Sequence, residues 1–424
     1  MMYRVQEAGY EVSGGIEGCD VVVINTCGFI DSAKSEAIDH ILMTAQLKDA
    51  GLVGKILVTG CLSQRYQAQI MEELPEVDGI LGTGSYTEVV PAIGALLEGQ
   101  SVSLFGSIDA PEQETGRILT TPEHYAFLKI AEGCDNRCAY CVIPYLRGKF
   151  RSRAMDDVLY EARLLAAGGV KELIVVAQDT SRYGTDFPEH QRLLPELLRQ
   201  LCQIEGFRWI RLHYLYPDEI DDELIHVIAS EEKIVKYLDI PIQHCNSKIL
   251  SLMNRRGDGD YLRKLFAKLR DEIPGLVLRT SVITGLPGEG EEEFAELCEF
   301  LKEQKLERVG AFPFSPEEGT PAAQMDHPDN ETSQERAMMI ETIQSRIMDA
   351  CNEAMIGRTL DVLVDGFDPE FEQYFGRTYA DSPDIDGRVW IASDEDLSEG
   401  QFVQVCIDGL VEGDLSGYLV EEEV

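Results

Sequence analysis

The sequence predicts an α/β protein in three parts: an N-terminal doubly wound open sheet, a central partial (β/α) barrel and a small C-terminal OB-like β-barrel. Three observations carry this prediction. Apolar runs alternate with helix-length segments through residues 21–97. Strand-like runs separated by helical stretches continue between residues 126 and 312. Past Gly357 the period changes to short strands packed closely along the chain.

In the first part, the run at 21–26 suits a buried parallel strand and leads into a helix from about Ala33 to Ala50. A second strand at 55–59 precedes a helix at about 64–74, and a weaker strand at 79–81 precedes one at about 87–97. Cys27 and Cys61 fall just past the C-terminal ends of the first two strands, the edge where open α/β sheets bind ligands. If those strands are neighbours, both thiols face one crevice. Taken alone, the two cysteines read equally well as small buried residues.

Residues 99–122 show scattered Gly, Pro, Ser and Thr with little periodicity, as a linker does. Domains are accordingly expected at 1–105, 123–356 and 357–424, joined by a linker at 106–122. The central strands are expected at 126–131, 172–177, 209–214, 237–240, 277–283 and 308–312, with a closing helix at 333–356. Polar residues sit at their C-terminal ends: Gln178 and Asp179, Gln243 and His244, and the run from Gly285 to Glu289. His244 reads as a satisfied core histidine and receives no role. Gly168 and Gly169 follow a helix at 157–167 and read most simply as its C-cap.

Composition limits the function classes. With 424 residues the chain suits two or three domains, and 44% hydrophobic residues can fill their cores. No apolar run approaches the roughly 20 residues that span a bilayer, and the N-terminus lacks a signal peptide's layout, so no membrane partner is expected. The 11 cysteines cluster instead of spreading, which suits a reducing cytoplasm better than a disulfide framework. Asp and Glu outnumber Lys and Arg by 76 to 37, a formal charge of −39 that should repel phosphate backbones and attract basic partners.

The first central strand delivers the most informative stretch. Cys134, Cys138 and Cys141 lie within one Gly-flanked loop, Gly133-Cys134-Asp135-Asn136-Arg137-Cys138-Ala139-Tyr140-Cys141. This spacing lets one loop set three thiolates around an iron–sulfur cubane, with the fourth iron left open. Zinc is the competing reading. A closed zinc site wants a fourth Cys or His, and His124 is the nearest candidate. Cys298 shares a helical face with Phe294, Leu297 and Leu301, while Cys202, Cys245, Cys351 and Cys406 stand singly, so all five read as structural.

The triplet, with Tyr140 before its last cysteine, resembles the signature of the radical S-adenosylmethionine (SAM) superfamily. Residues 125–133 and 143–148 narrow the resemblance to methylthiotransferases, among them the branch that modifies ribosomal protein S-twelve, over nearly the whole chain. The resemblance implies a 4Fe–4S cluster on Cys134, Cys138 and Cys141 whose open iron chelates S-adenosylmethionine, and Gly168 and Gly169 as a pair that helps seat this cofactor. It also implies a second, auxiliary 4Fe–4S cluster, with Asn25-Thr26-Cys27-Gly28 and Thr59-Gly60-Cys61-Leu62 matching its second and third ligand motifs. The family's first auxiliary ligand would lie upstream of Met1, so the auxiliary set is expected to be incomplete here and the natural reading frame to continue upstream. Cys19 cannot replace it, because the strand at 21–26 holds it more than about 20 Å from Cys27 at about 3.3 Å per residue. No acid–base residue is assigned a catalytic role. The reductant and the sulfur donor are not identified by any motif.

The tail bears on the substrate. Strands at 360–364, 376–379, 387–391, 401–407 and 417–420 resemble a TRAM domain, which many relatives use to hold RNA. From Gly357 to Val424 there are 18 Asp or Glu and three arginines, a net formal charge of −15. An RNA-holding barrel should be basic. Residues 379–387 likewise resemble the ribosomal-protein branch. The expectation is therefore methylthiolation of an aspartate β-carbon in ribosomal protein S-twelve, with a modified adenosine of transfer RNA as the alternative. Tail acids such as Asp384, Asp386 and Asp394 are expected to steer the basic protein in.

Overall fold

The computed structural model describes residues 1–111 and 116–420. They form two compact units, each assembled from several chain segments: 1–120, 132–153 and 315–325 in the first, and 121–131, 154–314 and 326–424 in the second. This grouping differs from a division into consecutive blocks. The cysteine loop belongs to the first unit because the residues after it, Val142 and Leu146, bury their side chains against Cys61, with Phe29 packed beside them.

The first unit is built on four parallel strands in sequential order: β1 (Val21–Thr26), β2 (Lys55–Gly60), β3 (Gly79–Leu81) and β4 (Val102–Leu104). Alternation along β2 decides which helix covers which face. Ile56 and Val58 pack with Ala37, Ile41 and Ala45 of the helix Asp31–Asp49, whereas Leu57 packs with Val89, Ile93 and Leu96 of the helix Val89–Leu97. Both faces are thus covered, as expected of a doubly wound sheet. The strand β4 lies in the stretch read as linker. Only Val102 of its three residues is buried, so it leaves no periodic signal. Four residues of the expected linker, 112–115, lie outside the described residues. The expected helix at 64–74 is two short helices, Cys61–Tyr66 and Ala68–Glu73, split at Gln67 with φ of 46°.

The second unit holds a six-stranded parallel sheet in the order β10-β9-β8-β7-β6-β5, where β5 is Tyr125–Lys129, β6 Glu172–Val176, β7 Trp209–Leu212, β8 Ile234–Asp239, β9 Val277–Thr284 and β10 Arg308–Pro313. All six expected strands are present, and their sequential parallel order is that of a partial (β/α) barrel. The tail closes into a five-stranded barrel of β11 (Thr359–Asp368), β12 (Gln373–Arg377), β13 (Val389–Ala392), β14 (Phe402–Val411) and β15 (Asp414–Leu419). Its interior is aliphatic, with Val362, Val364, Val389, Ile391, Val405 and Ile407 at the centre.

The loop between β12 and β13 plugs the partial barrel from the N-terminal ends of its strands. Arg211 donates from Nη1 to the Tyr379 carbonyl at 2.8 Å, and Arg308 donates to Asp381 at 2.7 Å. Tyr237 donates its hydroxyl to Asp386 at 2.6 Å, and His213 Nε2 meets Ser382 Oγ at 2.9 Å. At the rim, the fully buried Glu172 carboxylate takes Arg211 Nε at 2.7 Å and Arg377 Nη1 at 2.6 Å. Two guanidiniums hold this carboxyl below its usual range despite burial that pushes the other way.

This plug corrects one expectation. The Asp386 side chain is buried and turned inward onto Tyr237, so it lies away from the surface where steering acts. Asp384 and Asp394 are exposed, as expected of steering groups.

Candidate functional site

The two N-terminal cysteines leave the sheet side by side. β1 and β2 pair in parallel with Thr26 opposite Gly60, so Cys27 and Cys61 are the next residues in register. The turns that carry them touch. A Cβ on Gly28 would lie 2.8 Å from the Leu62 nitrogen, and one on Gly60, whose φ is 101°, would lie 2.3 Å from the Thr26 carbonyl oxygen. Cys27 is exposed and Cys61 is buried. One thiol at the surface and one beneath it, on adjacent strand ends, form a crevice edge suited to a soft metal group.

The triplet loop is framed by a glycine that nothing else can replace. Gly133 has φ of 80°, and a Cβ there would meet the Lys149 carbonyl oxygen at 2.1 Å. The Cys134 amide donates to the Gly148 carbonyl at 3.2 Å, and the Cys141 amide donates to the Cys138 carbonyl at 3.0 Å. Between them Arg137 turns the chain at φ of 50°. Cys138 is buried, and Cys134 and Cys141 are half-buried.

Among the described residues, no three His, Cys, Asp or Glu side chains converge as ligands of a single metal ion do. A zinc site needs that convergence; a cubane does not, since each thiolate takes a different iron. The zinc reading also loses its fourth ligand, because His124 is buried with Nε2 2.8 Å from Asp365 Oδ1. Three soft donors in one short, glycine-framed loop fit an iron–sulfur cluster.

In the second unit, the strand ends are stitched together around β6, β7 and β8. The Thr180 amide donates to the Tyr214 carbonyl at 3.0 Å, and the Tyr214 amide donates to Asp239 Oδ2 at 3.3 Å. Arg279 pairs with Asp239 Oδ1 at 2.9 Å. Tyr214 is held at φ of 59° with an exposed ring, and Gln243 at φ of 68°. Such left-handed residues at strand ends mark a conformationally constrained edge. Glu289 takes the Gly285 amide at 2.8 Å and Arg336 Nη1 at 2.8 Å, which fixes the glycine-rich turn after β9. His244, with no exposure, accepts the Asn246 amide at Nδ1 and places Nε2 3.2 Å from Glu289, a structural position.

Gly168 and Gly169 are not part of that edge, and the expectation that they seat a cofactor is set aside. Gly168 caps the helix Met155–Ala167, and Gly169, at φ of 102°, turns the chain into the N-terminal end of β6. They therefore lie at the opposite edge of the sheet from the strand ends that carry Asp179, Tyr214 and Gly285.

Burial pushes the thiols of Cys202 and Cys245 up to about 12 and raises those of Cys298 and Cys351, which keeps all four in the inert thiol form. Cys19 donates to the Gly15 carbonyl at 3.2 Å, ahead of β1 and away from the crevice edge. The sequence reading missed Glu317, whose Pro-Glu-Glu-Gly neighbourhood reads as an exposed turn. It is buried and accepts Lys34 at 3.0 Å and Arg65 at 2.6 Å.

Comparison with known proteins identifies the chain's family. The radical SAM superfamily model matches residues 128–301, the uncharacterized protein family UPF0004 model residues 1–82, and the TRAM domain model residues 356–420. Among solved structures, a radical S-adenosylmethionine methyltransferase, TsrM from Kitasatospora setae, with cobalamin and a [4Fe-4S] cluster bound, is similar in fold. It aligns with a TM-score of 0.54 at 15% identity over 71% of this chain and 65% of that one. The ribosomal protein uS12 methylthiotransferase RimO of Lachnoclostridium phytofermentans is 45% identical over 98% of this chain and 95% of its own length. That of Pelotomaculum thermopropionicum is 47% identical over 99% of this chain and 95% of its own. Identity at this level along nearly the whole of both chains shows that this protein belongs to the ribosomal protein uS12 methylthiotransferase family.

Proposed function

We propose that this enzyme attaches a methylthio group to the β-carbon of an aspartate in ribosomal protein uS12. The observation that carries the reading is the near full-length identity to uS12 methylthiotransferases, in a chain that holds the Cys134, Cys138 and Cys141 triplet together with Cys27 and Cys61. Cys134, Cys138 and Cys141 would hold one 4Fe–4S cluster and its S-adenosylmethionine, and Cys27 and Cys61 would take part in holding a second. When bound, these groups would supply radical chemistry able to break an unactivated C–H bond.

The protein's own residues prepare the site for that chemistry. Gly133 and Gly148, at φ of 80° and 76°, bend the triplet loop so that its cysteines project from one short segment. Burial of Cys138, and of Val142 and Leu146 against Cys61, keeps water from the inner side of both cysteine groups. The plug closes the N-terminal mouth of the partial barrel, so a substrate enters from the strand ends.

Mass spectrometry of uS12 and of transfer RNA from cells lacking this gene tests the proposal. Loss of a methylthio group from the uS12 aspartate, with transfer RNA unchanged, is the expected result. Loss from a transfer RNA adenosine with uS12 unchanged would overturn it.

A further inference from the structure

The segment Ser315–Met325 joins the first unit although it is distant in sequence from that unit's other segments. At one end Glu317, 2% exposed, is a buried hub. Oε2 accepts Lys34 Nζ at 3.0 Å and Arg65 Nη1 at 2.6 Å, and Oε1 accepts Ser315 Oγ at 2.6 Å. Both cations belong to elements next to the N-terminal cysteines. Lys34 lies in the first turn of the helix that follows Cys27, and Arg65 lies on the short helix that Cys61 begins. The same Arg65 Nη1 also donates to the Gly28 carbonyl at 3.0 Å, beside Cys27, while Nη2 donates to the Glu318 carbonyl at 2.9 Å. A single guanidinium therefore joins the Cys27 turn, the Cys61 helix and the segment.

At its other end, the segment reaches the triplet. The Ala322 amide donates to the Ala139 carbonyl at 2.9 Å, and Ala139 lies between Cys138 and Cys141. The chain between the two anchors is stiffened from within. Thr320, 1% exposed, donates its hydroxyl to the Glu317 carbonyl at 2.7 Å, and its amide donates to the same oxygen at 3.1 Å. A buried carboxylate shared by two cations is costly to leave unpaired, so its retention asks for a positional reason.

We propose that Ser315–Met325 is a strap that sets the spacing between the Cys27–Cys61 edge and the Cys134–Cys138–Cys141 loop, with Glu317 as its positioning residue. The inference rests on the reading that both cysteine groups hold clusters, but its test begins without them. Hydrogen–deuterium exchange on the full apo chain compares wild type with Glu317→Gln. Faster exchange in the triplet loop, by about tenfold, is expected alongside loosening around Lys34 and Arg65, because a charge-assisted hydrogen bond is lost at one end of a rigid link. Loosening around Lys34 and Arg65 with the triplet loop fully protected would overturn the strap.

Thr320→Val removes the hydroxyl's bonds to the Glu317 carbonyl and from the Ala323 amide while leaving the Glu317 side chain and the Ala322–Ala139 bond in place, so it covers the case in which Glu317→Gln fails to fold; the same direction is expected, and unchanged triplet exchange again counts against the strap. After anaerobic reconstitution, the electron paramagnetic resonance spectrum of the triplet cluster should shift in both variants at unchanged iron content. A purely local stabilising role at Glu317 would leave that spectrum as in wild type. Failure of wild type to load any cluster would instead contradict the proposed function and leave the exchange result standing.

Discussion

At the scale of single residues, conformation and burial separate working cysteines from structural ones. Cys202 and Cys245, with thiols pushed up to about 12, are almost entirely protonated at neutral pH, whereas Cys27 is exposed at a strand end. Alkylation of the native apo chain at pH 8 should therefore modify Cys27 and spare Cys202 and Cys245, as peptide mapping would show. Labelling of Cys202 at the rate of Cys27 would contradict the burial. Replacing Cys134, Cys138 and Cys141 together with alanine should abolish S-adenosylmethionine cleavage while Cys27 and Cys61 keep their places, since those lie on a separate sheet edge; assay of cleavage under a strong reductant decides it. The triplet was legible in sequence because its spacing is itself the chemistry. Glu317 was not, because its cationic partners lie more than 250 residues away in the chain. Gly168 and Gly169 misled for the opposite reason: a helix C-cap and a cofactor turn use the same residues, and only the sheet shows which edge they occupy.

At the scale of elements, the sequence located every strand long enough to alternate and missed the three-residue β4, where one buried side chain makes no pattern. The plug was visible only as a stretch of acids. In the structure those acids divide into buried partners and exposed charges, and the division can be tested. Arg377→Ala would leave Glu172 paired only with Arg211 in a fully buried site, which should cost about 3–5 kcal/mol in urea unfolding. Asp386→Lys should destabilise comparably in kind, whereas Asp394→Lys, on the surface, should change stability by no more than about 0.5 kcal/mol.

The plug also sets a pH dependence. Burial, then Arg211 and Arg279, pull the pKa of His213 from 6.5 down to about 3, so folded His213 stays neutral where the unfolded chain binds a proton. Its contribution to stability is full above about pH 6.5 and is lost progressively as pH falls toward 3. His213→Gln should flatten the stability profile between pH 4 and 7; a slope equal to wild type would show that another group titrates there.

At the scale of the molecule, we propose that charge contributes to the choice of partner. The formal charge is −39, and the tail holds exposed acids at Glu370, Glu372, Asp384, Asp394, Glu395 and Asp396. A basic ribosomal protein should be steered toward this surface, with an association rate that falls as salt screens charges beyond a Debye length of about 8 Å. Stopped-flow mixing at low and high salt should show the association rate changing more than the dissociation rate.

The proposed function is tested most directly in cells lacking the gene, complemented either with the natural gene or with its Cys134, Cys138 and Cys141 alanine variant, by the mass of the uS12 aspartate peptide. The wild-type gene should restore the methylthio group to the aspartate, and the variant should not. Restoration by the variant, or no change in uS12 mass between deleted and complemented cells, would contradict it.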